Sequence, residues 1–149
     1  MAKHKHKRPV VGFELSSGKE PRIAHDPDAF HQRKPAWRLS RLALSHPFGW
    51  HEIASSTLLE IRLKLANFES MTWGEILVDG KKQNHHIPIA DLCQGARTEA
   101  ARLRLDVDEL CVLHLNGTQR VWGILADGVF HLLWWDPHHD VCPSKKRHT

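Results

Sequence analysis

Residues 109–142 read ELCVLHLNGTQRVWGILADGVFHLLWWDPHHDVC. Two dipeptides divide this stretch, Asn116-Gly117 and Asp127-Gly128. Each is flanked by apolar, β-prone runs. Asn-Gly and Asp-Gly suit two-residue hairpin loops because both central residues need a positive φ. The stretch therefore predicts three antiparallel strands, at about 109–115, 118–126 and 129–135. Pro137 cannot donate to a ladder and ends the third.

Two-residue loops also set a register. Leu115 would pair with Thr118, Val112 with Val121 and Cys111 with Trp122. Across the second turn, Phe130 would pair with Leu125, Leu133 with Trp122 and Trp135 with Arg120. Opposed residues share a face. One face then holds Leu110, Val112, Val121, Gly123, Leu125, Phe130, Leu132 and Trp134, and should meet helices. The other holds Cys111, Leu113, Arg120, Trp122, Ile124, His131, Leu133 and Trp135. An arginine beside tryptophans on a half-open face suits a planar anionic ligand such as a nucleotide. A partly covered amphipathic sheet accounts for the same pattern.

Upstream, Trp37 and Leu39 alternate with Arg38 and Ser40, which predicts a strand closed by Ser45-His-Pro-Phe-Gly. Leu58, Ile61, Leu65 and Phe68 recur at three- and four-residue steps, which predicts a helix over 53–68. Glu60 and Lys64 form an i, i+4 pair on it. Ser70 can cap a short helical turn carrying Trp73, Ile76 and Leu77. Residues 79–86 read as a polar loop, with Lys81, Lys82, His85 and His86 as its basic cluster. Pro88 suits the start of a second helix, 89–103, with Ile89, Leu92, Cys93, Ala96, Ala100 and Leu103 on one side. The expected fold is α+β: an antiparallel sheet of about four strands, with two main helices on one face.

The 149 residues are 41% hydrophobic, which suits one globular domain. The expected division is a flexible basic arm over 1–34, the domain over 35–143 and a basic tail over 144–149. A short strand at 10–15 would fit within the arm. No apolar run approaches the roughly 18 residues of a membrane span. Three scattered cysteines give no disulfide framework, and a cytoplasmic home is expected. The net charge of +4 is misleading. Lys3, Lys5, Lys7, Arg8, Lys145, Lys146 and Arg147 carry seven positive charges at the two ends, which leaves the body at −3. Such tails can hold a nucleic-acid backbone without reading its sequence, and serve equally as solubilising ends.

Residues 37–142 resemble the RelE/ParE toxin superfamily, in which one strand and a helical pair precede an antiparallel meander. The carrying segment is 119–133, QRVWGILADGVFHLL. There a basic residue opens an aromatic-bearing strand, and a turn leads to a second apolar strand. The resemblance implies an mRNA endoribonuclease that works at the ribosome without a metal or other cofactor, controlled by a cognate antitoxin protein. It assigns Arg120 to the phosphate and His138 or His139 to proton transfer. Trp135 and Trp122 would offer stacking surfaces, and Lys145 and Lys146 backbone contacts. Arginine's fixed, forked charge suits a developing phosphorane, and histidine titrates near neutrality. The chain has no tyrosine, so a tyrosine of the family's type is missing. Asp136 could pair with Arg120 and hold it inactive. His131 would lie four residues along the strand, roughly 13 Å away, and is set aside.

Two other readings remain open. One is a non-catalytic RNA- or protein-binding module on the same fold, or an accessory protein of a mobile element. The other is a zinc site at His138, His139 and Cys142, completed by His85 or His86. No C-x2-C pair anchors such a site, so no metal is expected there.

Overall fold

The computed structural model describes residues 29–143. The tail over 144–149, with Lys145 and Lys146, lies outside the described residues, as do the predicted strand at 10–15 and most of the arm. Residues Ala29–Gln32 form a short 3-10 turn. It is tied down where the Trp73 amide donates to the Arg33 carbonyl at 2.9 Å.

Among the described residues, five strands form one sheet: β1 (Ala36–Arg38), β2 (His85–Pro88), β3 (Glu109–His114), β4 (Arg120–Ala126) and β5 (Val129–Asp136). Their spatial order is β1-β5-β4-β3-β2. β1 runs parallel to β5, and the other pairs are antiparallel. The expected sheet of about four antiparallel strands thus gains an edge strand and contains one parallel pair. The added strand, β2, lies in the stretch read as a polar loop. Its proline is tolerated because it stands at a strand end on the sheet edge.

Two helices cover the sheet, α1 (Ser55–Glu69) and α2 (Gln94–Arg102). A five-residue π turn, Glu75–Asp79, follows α1. A 3-10 turn, Ile89–Asp91, precedes α2, whose first free amides are capped when Cys93 Sγ accepts from Ala96 N at 3.4 Å. The second helix is therefore shorter than the predicted 89–103. The expectation that both helices share one face is overturned. Ile61 of α1 joins Cys111, Leu113, Val121, Phe130, Leu132 and Trp135 in one core. Ala96 and Ala100 of α2 join Leu110, Val112, Trp122, Leu133 and Trp134 in a second. The sheet lies between them.

The face assignment changes for two local reasons. In the first hairpin, Leu115 N donates to Gln119 O at 3.0 Å and Gln119 N to Asn116 O at 2.8 Å. Three residues, 116–118, therefore form the loop, and His114 pairs with Arg120 and Val112 with Trp122. This one-residue slip exchanges the faces of β3. The second hairpin does have a two-residue loop. Asp127 and Gly128 both take positive φ, 51° and 80°, and Ala126 pairs with Val129. Further along, a β-bulge lies between Trp122 and Gly123, whose partners are Trp134 and Leu132. Leu133 is the extra residue, and beyond it each side chain changes face. Arg120 consequently opposes Asp136, not Trp135. Gly123 is required beside the bulge, since a Cβ there would collide with the Phe130 ring and the His131 carbonyl.

Candidate functional site

The α2 face of the sheet opens into a cleft of about 640 Å³ at the β2–β3 end. Arg120, His114, His85, Lys82 and His139 supply its basic side chains, and Trp122, Val112 and Ile87 supply apolar wall. Asp91 and Cys142 also reach it.

Strand pairing positions the central groups. His114 and Arg120 are directly opposed at the end of the β3–β4 ladder, so both side chains leave the sheet on the same side. The Arg120 Nη1 donates to the carbonyls of Gly117 at 2.7 Å and Gln119 at 3.0 Å. These bonds fasten the guanidinium to the hairpin loop beside the cleft. On β2, His85 opposes Val112 and so faces the same way. Asn84 fixes the start of that strand: its Oδ1 accepts from His114 N at 2.8 Å, and its amide nitrogen donates to Ile76 O.

His139 arrives by a different route. Asp136 is 1% exposed, and its carboxylate organises the turn that follows β5. Its Oδ1 accepts from Asp140 N at 2.8 Å. Its Oδ2 accepts from Val141 N at 3.1 Å and from Trp122 Nε1 at 3.2 Å. The Cys93 amide donates to Val141 O at 2.8 Å, which pins the segment beside α2. Inside this turn His139 takes φ 59°, a left-handed conformation uncommon for a residue with a Cβ. The buried carboxylate thus holds a constrained histidine at the rim of the cleft.

The electrostatics follow from burial and like charge. Burial, then the nearby Arg120, Lys64 and His139, lower the pKa of His114 below its ordinary 6.5. His114 is therefore held neutral near pH 7. Burial also lowers the Arg120 pKa, partly offset by Asp136. The buried Nδ1 of His85 has no hydrogen-bond partner among the described residues.

Of the residues singled out from the sequence, Arg120, His139 and Trp122 come together in the cleft, joined by Lys82 and His85 of the basic cluster and by Cys142. Trp122 is wholly buried, so it forms the floor and is not a free stacking platform. His138 is exposed and does not line the cleft. Trp135 is a correction: it is 6% exposed on the opposite face, against Trp50 at 5.8 Å between ring centroids. His131 pairs with Ile124 and is likewise outside the cleft. His114 was missed because two-residue loop geometry opposes it to Gln119. A three-residue loop would have placed it beside Arg120 from the sequence alone. The combination proposed for zinc does not assemble among the described residues. The one His/Cys/Asp/Glu group found there with ligand atoms close enough for a metal is elsewhere.

Comparison with protein-family models, curated proteins and solved structures finds no match in any of the three. No helix among the described residues is long and apolar enough to cross a membrane.

Proposed function

We propose that the chain is a RelE-like endoribonuclease, or a protein derived from one, that cleaves mRNA at the ribosome with Arg120, His114 and His139 as its working groups. The observation that carries this reading is their convergence on one basic cleft, two from paired strands and one from a turn built on a buried carboxylate.

The chemistry needs a base, an acid and a charge. Neutral His114 takes the proton of a ribose 2′-hydroxyl, whose oxygen attacks the adjacent phosphorus. Arg120 balances the charge that builds on the non-bridging oxygens. His139, in its protonated form, gives a proton to the departing 5′-oxygen. The products are a 2′,3′-cyclic phosphate and a 5′-hydroxyl end. Lys82 and His85 lie on the cleft wall where flanking phosphate or base groups would run. No step calls on a metal. The antitoxin that this reading requires would cover the exposed leucines of α1, Leu58, Leu59 and Leu63.

The test is to induce the chain in a bacterial host and map new 5′ ends on cellular mRNA, with Arg120→Gln and His114→Gln alongside. Codon-phased cuts carrying 5′-hydroxyl ends are expected. They should fall by roughly 100-fold or more in Arg120→Gln, the scale seen on removing a charge-stabilising donor. Thermal melts of both variants check that the fold survives. Absence of cuts with normal growth would overturn the nuclease reading in favour of a non-catalytic binding module. Growth arrest without cuts would move the target away from mRNA, with gyrase the first to examine.

A further inference from the structure

A second cluster lies at the opposite edge of the sheet, and it is independent of the cleft. β1 pairs with only the first part of β5. Beyond it, residues 43–50 continue along the same edge. Ala43 N donates to Leu133 O at 2.9 Å, and Trp135 N donates to Phe48 O at 2.9 Å. Trp50 N closes the loop on Ala43 O at 2.8 Å. Two aromatic contacts seat it: Phe48 lies 5.4 Å from Trp134, and Trp50 lies 5.8 Å from Trp135. Gly49 sits at the tightest point, where a Cβ would collide with Ser45 and with Nδ1 of His51.

This anchored loop brings its ends together. The rings of His46 and His51 meet edge to face at 4.8 Å. Glu52 lies between them, with Oε2 3.4 Å from His46 Nε2 and Oε1 3.8 Å from His51 Nε2. One ligand atom from each residue lies within 4.8 Å of the others.

We propose that His46, His51 and Glu52 form a binding site for a transition-metal dication of the zinc class. Ligands held at 2.0–2.1 Å in a tetrahedron stand about 3.3 Å from each other. The closest pair, at 3.4 Å, already has that spacing, and the widest separation, 4.8 Å at most, needs a shift of up to about 1.5 Å to close. Side chains of His46 and Glu52 are 75% and 68% exposed, so they can make it. Two imidazoles and one carboxylate suit zinc, cobalt(II) or nickel(II) and disfavour magnesium and calcium, which prefer oxygen ligands. The open, solvent-facing side leaves at least one position for water. Because the loop is fastened to β5 and leads into α1, a bound ion would cross-link the sheet edge to the start of that helix.

The competing account is an ion pair in which a protonated histidine holds Glu52. The N-terminal run also contains His4 and His6, which could take up metal by themselves. The experiment therefore uses the full, untagged chain, stripped with chelator and titrated with zinc by calorimetry. Cobalt(II) absorption serves as a second readout. Four forms are compared: wild type, His4→Asn/His6→Asn, His51→Ala and Glu52→Gln. The expected result is one equivalent of zinc in wild type and in the His4/His6 variant. Affinity should fall at least tenfold in His51→Ala and in Glu52→Gln, with loss of the cobalt visible bands. Zinc should raise the melting temperature of wild type and leave these two variants unmoved. Equal binding in all four forms, or loss confined to the His4/His6 variant, would overturn the proposal and leave an ion pair only. Neither outcome bears on the nuclease reading, since none of these residues lines the cleft.

Discussion

The two faces of the sheet are covered by helices of opposite design. α2 has nine residues, of which Ala96, Glu99 and Ala100 are buried. The two alanines let the helix sit close on Leu110, Val112 and Trp122, and Glu99 is bonded to Arg102 Nε at 3.0 Å. α1 has fifteen residues and buries one, Ile61. Along its flank runs an open apolar groove of about 920 Å³, lined by Trp37, Trp50, Leu58 and Leu65 among others. Helix length is thus a poor guide to how much core a helix seals. The face closed by the short helix also carries the candidate site. There, residues of β2, β3 and β4 and the turn after β5 line the cleft. Rigidity on that face comes from polar bonds to Asp136 as much as from apolar contact. The other face depends on aromatic contact, such as Trp73 against Phe130 at 6.1 Å, and on single bonds such as Trp73 Nε1 to Gly128 O at 2.8 Å.

The sharpest way to break this contrast is Asp136→Ala. The change orphans three donors, the amides of Asp140 and Val141 and the indole of Trp122, in or near the core. Each unsatisfied buried group costs about 1–3 kcal/mol, so a loss of roughly 3–5 kcal/mol is expected. Urea unfolding measures it. Because the same bonds hold the turn that carries His139, any nuclease activity should fall as well, at temperatures where the variant remains folded. A loss below about 1 kcal/mol would mean that the α2 face is held by its apolar contacts alone.

Much of the fold could be read from residues 109–142, and the reason is local. The Asp127-Gly128 pair imposes its turn whatever surrounds it, so β4 and the first half of β5 were assigned to the right faces. The errors came where the outcome is decided by more than a dipeptide. Asn116-Gly117 fits a two-residue loop and a three-residue loop equally, and the choice reverses every side chain of β3. The bulge at Leu133 leaves no mark in a run of uniformly apolar residues. β2 escaped detection because four residues, two of them histidines and one a proline, carry no alternation. At the site, Arg120 and His139 were legible as charged or titratable groups at element ends. His85 stood out only as part of a basic loop cluster, and His114 not at all, because their place in the cleft depends on register and on an edge strand that the sequence hides. The His46–Glu52 cluster was hidden for a related reason: the residues between its members matter only through contacts with Trp134 and Trp135.

Acidification should tell the faces apart by a smaller amount. His114 and His131 both stand on the α2 face, and both have pKa values lowered from 6.5. Burial is the larger cause in each. Arg120, Lys64 and His139 act next on His114, and Arg38 and Arg41 on His131. A histidine with a depressed folded-state pKa binds fewer protons folded than unfolded in the interval below 6.5. Its stabilising contribution is present above that value and is lost as pH falls through it toward the folded pKa. Urea midpoints should therefore decline between pH 7.5 and 5.5. The decline should be shallower in a His114→Gln/His131→Gln variant. An equal slope in both proteins would place the titration on other groups, among them His86, whose pKa burial also lowers.

The smallest effect is expected at the exposed leucines of α1. Leu59 and Leu63 are 54% and 58% exposed, so each has already kept most of its surface in water. Glutamine is about as good a helix former as leucine, and its amide is free to solvate. Leu59→Gln and Leu63→Gln should each change stability by less than about 1 kcal/mol, because only the shaded part of each side chain loses apolar contact. The informative readout is the pairing of this measurement with antitoxin binding. On the proposed reading these leucines are spared from the fold because a partner covers them. Unchanged unfolding midpoints with weakened partner binding would support that division of labour. A loss of several kcal/mol from either change would instead make these leucines part of the fold's own core, and the contrast between the two helices would disappear.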